Sequence, residues 1–432
     1  MFRLNTLVVC LLAGGMLASA ERQFKSQAEY DAYNAVSQDL AANNPQKALT
    51  DLDAWKQKFP DSDYKDDRTA MNVQALAASN QPAKALDAAS ELMAKDLSTA
   101  FSGPAQQIKL LYVLAQAIQK VPDPTPAQLA LGAQAAHQLA AYDKAPQGVA
   151  TDAWAQARKD MQGAANAALL YTDLIPSAQA MNHKDCETAE TNARKAITDF
   201  PASAQAAWSL GSALLCLQKT HPEKAPTAIY EFARAASLDP QTAMVDPKWQ
   251  QGTAEPYLEK IYNQYHGADP DALKQLKALA ITSPLPPADF TLKSGAEVAL
   301  QKQTDFENAN PQLALWMKIK AALTAPNGND YFESELKNSA VPALAGVVVE
   351  AKPACHPKEL LVAIKTPNQD SPVGEILLKL DKPLNGKPEV PADIQFEGVP
   401  SAFTPSPFLL TMDTQAAKVT GLKDTPCVVG KR

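Results

Sequence analysis

Five cysteines and five histidines are the residues of this chain best suited to redox, nucleophilic or metal chemistry. The cysteines are Cys10, Cys186, Cys216, Cys355 and Cys427; the histidines His137, His183, His221, His266 and His356 are scattered. His183-x-x-Cys186 and the adjacent Cys355-His356 offer mixed metal ligands, but the paired C-x-x-C spacing of a zinc site is absent, so no metal is expected. G-x-S-x-G, H-E-x-x-H, P-loop and G-x-G-x-x-G patterns are also absent. Tyr257, Ile261 and Tyr265 followed by His266-Gly267 could suggest a site, yet that spacing reads more simply as one packed face of an amphipathic helix. The 47 acidic residues could pair in space, but a solvated surface explains each of them. The expectation is therefore a chain without catalytic, cofactor-binding or metal-binding residues.

The cysteines take on a different meaning from the N-terminus. "MFRLNT" carries one positive charge, "LVVCLLAGGML" is apolar, and "ASA" ends at Ala20 as a small-residue cleavage site. Residues 1–20 read as an export signal, which makes the mature protein periplasmic or secreted. "LVVC" is a poor lipoprotein box, because Val9 is bulky and almost no apolar segment precedes Cys10. Cleavage removes Cys10 and leaves four cysteines in an oxidising compartment, where an even number suggests disulfides. Four cysteines allow three connectivities. Position favours Cys186–Cys216 with Cys355–Cys427, each pair inside one region; four buried free thiols are the alternative.

The 432 residues suggest two or three domains. A 46% hydrophobic and 20% charged composition supports a folded core. Few glycines (17) and many alanines suit packed helices. The formal charge of −7 argues against nucleic acid or an anionic membrane surface as partner. No segment beyond the leader is apolar enough to cross a membrane.

From about residue 28 to 240 the chain reads as helix, turn, helix. Ala48, Leu52, Trp55 and Pro60 stand at relative positions 0, 4, 7 and 12. Ala189, Ala193, Ala196 and Pro201 repeat those offsets, as do Ala228, Phe232, Ala235 and Pro240; Ala85, Ala89 and Leu92 fit the first three. Positions 0, 4 and 7 share one helical face, and proline ends the helix because it has no N–H to donate. This spacing resembles the second helix of a tetratricopeptide repeat. "AAWSLGSALL" supplies the first-helix counterpart with Ala207, Leu210, Gly211 and Leu214. The repeat spanning 204–240 has about five extra residues around "HPEKA", and 100–180 departs further, with longer helices. The resemblance implies hairpins stacked into a solenoid whose groove binds extended protein segments. In that frame Cys186 and Cys216 lie at the same end of a helical hairpin, each about 22 Å from the turn at Pro201. A bridge there closes a 30-residue loop, worth about 3.6 kcal/mol in the chain-entropy model.

Residues 246–340 read as further helices with a proline-rich linker, "SPLPPADF" at 283–290. Asn310 and Pro311 start a helix whose Leu313, Trp316 and Ile319 face a core. After residue 341 the pattern changes to "AGVVVEAKP", "KELLVAIKT", "EILLKLDKP", "DIQFEGVP" and "PFLLTMD", short apolar runs between turn residues. Ile394 and Phe396 should point inward, Gln395 and Glu397 outward. The order resembles the OB-type barrel, with a β-sandwich as alternative. Residues 341–432 balance ten basic against ten acidic residues and contain only Phe396, Phe403 and Phe408 as aromatics, so no nucleic-acid platform is expected.

The expected fold is thus mostly α: a TPR-like α-solenoid over 21–245, further helices over 246–340, and a small antiparallel β-barrel over 341–432. The expected function is a non-enzymatic protein- or peptide-binding scaffold of a Gram-negative cell envelope. Two alternatives are a helical enzyme acting on polysaccharide, which needs two carboxylates about 5–10 Å apart in a cleft, and a periplasmic small-ligand carrier, which needs an apolar pocket.

Overall fold

The structure, a computed structural model, describes residues 22–243, 245–365 and 373–427. The expected leader 1–20, its cleavage point and Cys10 lie outside these residues. The chain divides into two compact units, one ending at Leu292 and the other beginning at Lys293. The boundaries expected from sequence, 245/246 and 340/341, mark changes of repeat and of secondary structure instead. Helices as far as Ala280 share a core with the repeat helices, whereas Trp316, Ile319 and Leu323 share one with the strands. Burial of a common apolar face, and not the change from helix to strand, sets the division.

The first unit contains α1 (Gln27–Ala41), α2 (Pro45–Lys58), α3 (Lys65–Ala78), α4 (Pro82–Met93), α5 (Pro104–Ile118), α6 (Pro126–Ala141), α7 (Thr151–Asn182), α8 (Cys186–Asp199), α9 (Ala204–Cys216), α10 (Ala225–Ser237), α11 (Glu255–Tyr265) and α12 (Pro270–Ala280). Through α10 each helix packs on the next, and α11 and α12 both pack on α10. This is a solenoid-like array of helical hairpins. The turns α1–α2, α3–α4 and α7–α8 share one geometry. Asn43, Asn80 and Lys184 take left-handed φ values of 56°, 57° and 60°. The N–H of the following residue then donates to the carbonyl of Asp39 (2.8 Å), Leu76 (2.9 Å) or Ala180 (2.9 Å). This is the Schellman closure of a helix end. Ala48, Ala85 and Ala189 all stand nine residues beyond those acceptors, so the second-helix pattern starts at the same point in each hairpin.

The residues that defined the repeat are buried. Ala48, Leu52, Trp55, Ala85, Ala89, Leu92, Ala189, Ala193, Ala196, Leu210, Ala228, Phe232 and Ala235 are at most 3% exposed. Pro60 and Pro201 follow helix ends of matching geometry. The N–H of Phe59 reaches the carbonyl of Trp55 (2.9 Å), and that of Phe200 reaches Ala196 (2.8 Å). Gly211 is buried where α9 crosses α10. A Cβ there would lie 3.1 Å from Phe232 Cζ and 3.2 Å from the carbonyl oxygen of Ala228, tighter than side chains normally pack. Ser177 occupies the neighbouring crossing of α7 on α8, and its hydroxyl donates to the carbonyl of Ala189 (2.9 Å). The region 100–180 departs from the repeat because α7 continues unbroken for 32 residues, with Pro176 inside it. Its first part packs on α5 and α6, and its last turns pair with α8.

Among the described residues of the second unit, two long helices, α13 (Gly295–Ala309) and α14 (Pro311–Thr324), and a short helical stretch over 328–336 precede five main strands. These are β1 (Val341–Lys352), β2 (Glu359–Ala363), β3 (Ile376–Leu380), β4 (Ala392–Pro405) and β5 (Phe408–Thr414). The hydrogen-bonded order is β1-β2-β3-β5-β4, and β4 returns to β1, so the sheet closes into a barrel. That closure excludes the sandwich. One pair departs from the antiparallel expectation: β3 and β5 run parallel. β1 serves both neighbours, with its first residues on β4 and its last on β2, and is bulged on each side. Gly346 lies where it curls; a Cβ there would meet Val362 Cγ1 at 2.5 Å. Ile394 and Phe396 are buried and Gln395 is exposed, as the alternation requires. Trp316, Ile319 and Leu323 of α14, with Phe332 and Leu336, pack into the barrel core. Asn310 and Pro311 do begin α14, but Asn310 makes no side-chain cap; its amide donates to the carbonyl of Phe306 (3.2 Å).

Candidate functional site

The repeat positions named from sequence build the scaffold and are not available for binding. Other side chains of the first helices lie outside the core. On α5, Lys109, Tyr112 and Gln116 recur at i, i+3 and i+7 and share a face. Lys109 is half-buried, and burial pushes its ammonium below the ordinary lysine range. Among the described residues it has no carboxylate partner within ion-pair distance. Burial raises the Tyr112 phenol, with Gln116 pulling the other way and Asp160 of α7 adding to the rise. Trp154 of α7 and Tyr112 both pack against the core that α5 helps to form. Lys109 and Tyr112 thus place a cation and a phenol ring one turn apart on one face of α5.

A second surface already holds a strand-like segment of this chain. Arg22 lies in an irregular stretch before α1. Its guanidinium donates to Asp67 Oδ2 at 2.6 Å and also to the carbonyl of Ala100. The N–H of Gln23 donates to Asp63 Oδ2 (3.3 Å), and the Tyr64 hydroxyl donates to the Arg22 carbonyl (3.1 Å). Phe24 stacks on Tyr64 with ring centroids 4.1 Å apart and meets Tyr33 edge-on. Burial raises Asp67 to about 6 and outweighs the opposing pull of Arg22. The start of α3, with Tyr33 of α1, therefore grips a short Arg-x-Phe segment through two acids, two aromatic rings and main-chain groups.

Trp208 of α9 forms a third feature, meeting Trp249, Tyr257 and Phe232 with ring centroids 5.4, 5.1 and 5.0 Å away. Phe232 is fully buried and the other three are half-buried. The Tyr257 and Ile261 face read from sequence is thus packed, with Ile261 in the core of this unit.

In the second unit an open cleft of about 770 Å³ lies between the α13–α14 turn and the barrel. Asp393 is the carboxylate on its wall and is paired with Lys365 at 2.5 Å. A single, ion-paired carboxylate does not make the two-acid arrangement of a glycosidase. Phe403 and Phe408 pack on Phe332 and Trp316, and Phe396 is in the barrel core, so these rings are not presented for stacking on bases.

The cysteines are bonded as Cys186–Cys216 and Cys355–Cys427. The first bridge joins the start of α8 to the end of α9, with Cα atoms 5.8 Å apart. His356 is next to the second bridge; a ring nitrogen and the two sulfurs lie within 4.8 Å of one another. Lys109 and the Arg22 site escaped sequence reasoning because neither belongs to a motif. The one available signal was that Lys109 is the single charged residue of its helix. No family model matches the chain, and no curated protein or solved structure matches it.

Proposed function

We propose that this chain is a non-enzymatic scaffold exported to the bacterial cell envelope. In this reading the first unit is a tetratricopeptide-like solenoid that holds an extended segment of another protein. Lys109 carries the proposal. A half-buried ammonium with no carboxylate partner among the described residues has lost hydration, and an anionic group bound beside it would offset that loss. A side-chain or C-terminal carboxylate of the partner would supply that charge, with Tyr112, three residues along the same helix face, offering apolar contact beside it. The way the start of α3 grips Arg22–Phe24 supports the same reading, since these helices already hold one irregular segment by side-chain and main-chain bonds. Two disulfides, and the finding that no described helix is long and apolar enough to cross a membrane, are compatible with export.

In-cell cross-linking with mass spectrometry provides the test. Lys109→Met should reduce recovery of the partner at least about tenfold, the cost of leaving a desolvated charge pair incomplete. Lys109→Arg should retain most of it. Equal recovery with Lys109→Met, or no specific partner for the parent chain, would overturn the proposal.

A further inference from the structure

The barrel's disulfide lies within a set of groups that the fold holds together by other means. Cys355 and His356 occupy the loop between β1 and β2, and Cys427 lies near the chain's C-terminal end. Lys387 and Pro388 pair with Thr425 and Asp424 in a short antiparallel ladder. The Thr425 hydroxyl donates to the carbonyl of Lys387 (2.9 Å), and the Glu389 N–H donates to that of Lys423 (3.2 Å). These bonds place the segment leading to Cys427 beside residues 384–388. His356 is fixed against the same residues. Its N–H donates to the carbonyl of Gly386 (2.8 Å), and its ring Nδ1 lies 3.2 Å from the carbonyl oxygen of Leu384 and 3.3 Å from the Gly386 nitrogen. Its backbone is left-handed (φ 54°), a conformation uncommon outside glycine and met where a side chain must be aimed.

From this geometry we infer that Cys355, Cys427 and His356 form a redox-gated site for a thiophilic d¹⁰ cation, Zn²⁺ or Cu⁺. In the oxidised chain the sulfurs are tied to each other. A dithiol reductant transfers two electrons and two protons to the disulfide; its own thiols become a disulfide, and Cys355 and Cys427 become thiols. The cation then displaces both thiol protons and binds two thiolates and one imidazole, with water or a partner's donor in the fourth position. Ligand atoms around a tetrahedral zinc are separated by about 4 Å, given bonds of about 2.0–2.3 Å, and the three groups are already within 4.8 Å. His356 Nδ1 accepts the Gly386 N–H (3.3 Å) and lies 3.2 Å from the Leu384 carbonyl oxygen, main-chain contacts of the outer-shell kind that hold a metal-binding imidazole in place. Among the described residues no third ligand joins the Cys186–Cys216 bridge, which makes that bridge the internal control.

The experiment uses the full chain, reduced or oxidised, titrated with Co²⁺ as a spectroscopic probe and then with Zn²⁺. The reduced protein should take up one equivalent with a sulfur-to-cobalt charge-transfer band, and zinc should displace it. The oxidised protein should show no such band. His356→Ala should weaken binding by about tenfold or more, Cys427→Ser should remove the band, and the double variant Cys186→Ser/Cys216→Ser should bind as the parent does. A reduced chain without the band, a His356→Ala variant of unchanged affinity, or a band lost only with Cys186 and Cys216 would overturn the inference. Loss of the barrel's circular dichroism on reduction would also overturn it, because the strand pairing would then not hold the three groups in place.

Discussion

At the scale of single residues, the most costly arrangement lies inside α10. Glu231 is fully buried and neither carboxylate oxygen has a hydrogen-bond partner. Arg234 Nε lies 3.8 Å away, beyond hydrogen-bond reach. Burial raises Glu231 to about 8 despite the pull of Arg234 and Arg194, so the neutral acid prevails near pH 7. The unfolded chain ionises this group near the ordinary glutamate value, while the folded chain holds its proton until about 8. Its contribution is therefore complete below about pH 4, declines as pH rises to 8, and is level above. Urea unfolding followed from pH 5 to pH 8 should show a loss of up to a few kcal/mol that Glu231→Gln abolishes. Arg234, by contrast, ties elements together. Its guanidinium donates to the carbonyls of Pro201, Ala280 (3.2 Å) and Ser283, linking the α8–α9 turn to the end of α12. Arg234→Ala should cost about 2–3 kcal/mol, measured as a lower urea midpoint with unchanged slope, because the carbonyls of Pro201 and Ala280 lose the guanidinium, while that of Ser283 keeps the Tyr230 hydroxyl (3.0 Å).

At the scale of elements, the hairpin is the repeating part, and its turn is as regular as its helices. The left-handed residues at Asn43, Asn80 and Lys184 precede each second helix by the same interval. Asparagine is one of the few residues that tolerate this conformation, so two of the turns carried a readable signal and Lys184 did not. Gly211 was readable by spacing, but only the crossing of α9 on α10 shows why glycine is required. Gly211→Val should force those helices apart and lower the thermal midpoint of the first unit, with a cost of about 1–3 kcal/mol. The Cys186–Cys216 bridge joins a second helix to the following first helix, so it fastens consecutive hairpins. Counting alkylated cysteines with and without reductant should show none of the four open without it. Replacing Cys186 and Cys216 by serine should lower stability by about 2–4 kcal/mol.

At the scale of the molecule, each unit has its own core. A chain cleaved between Leu292 and Lys293 should give two fragments whose urea transitions sum to that of the intact protein; a fragment without a cooperative transition would show that its core is incomplete. The sequence alone determined the second helices, their terminating prolines, the strand runs and the favoured cysteine pairs, because these depend on local periodicity and on proline's missing N–H. It did not determine the division at Leu292, the unbroken α7 through Pro176, the parallel β3–β5 pair, or the packing of α14 into the barrel. Each of those depends on which apolar faces meet, a choice made between segments far apart in sequence. The same holds for function. Lys109 is an ordinary lysine until folding half-buries it without a carboxylate partner among the described residues, and Cys427 is distant from His356 until residues 424–425 pair with 387–388. Chemistry was latent in the residue types, but tertiary structure decided it, because desolvation and proximity exist only after the chain has folded.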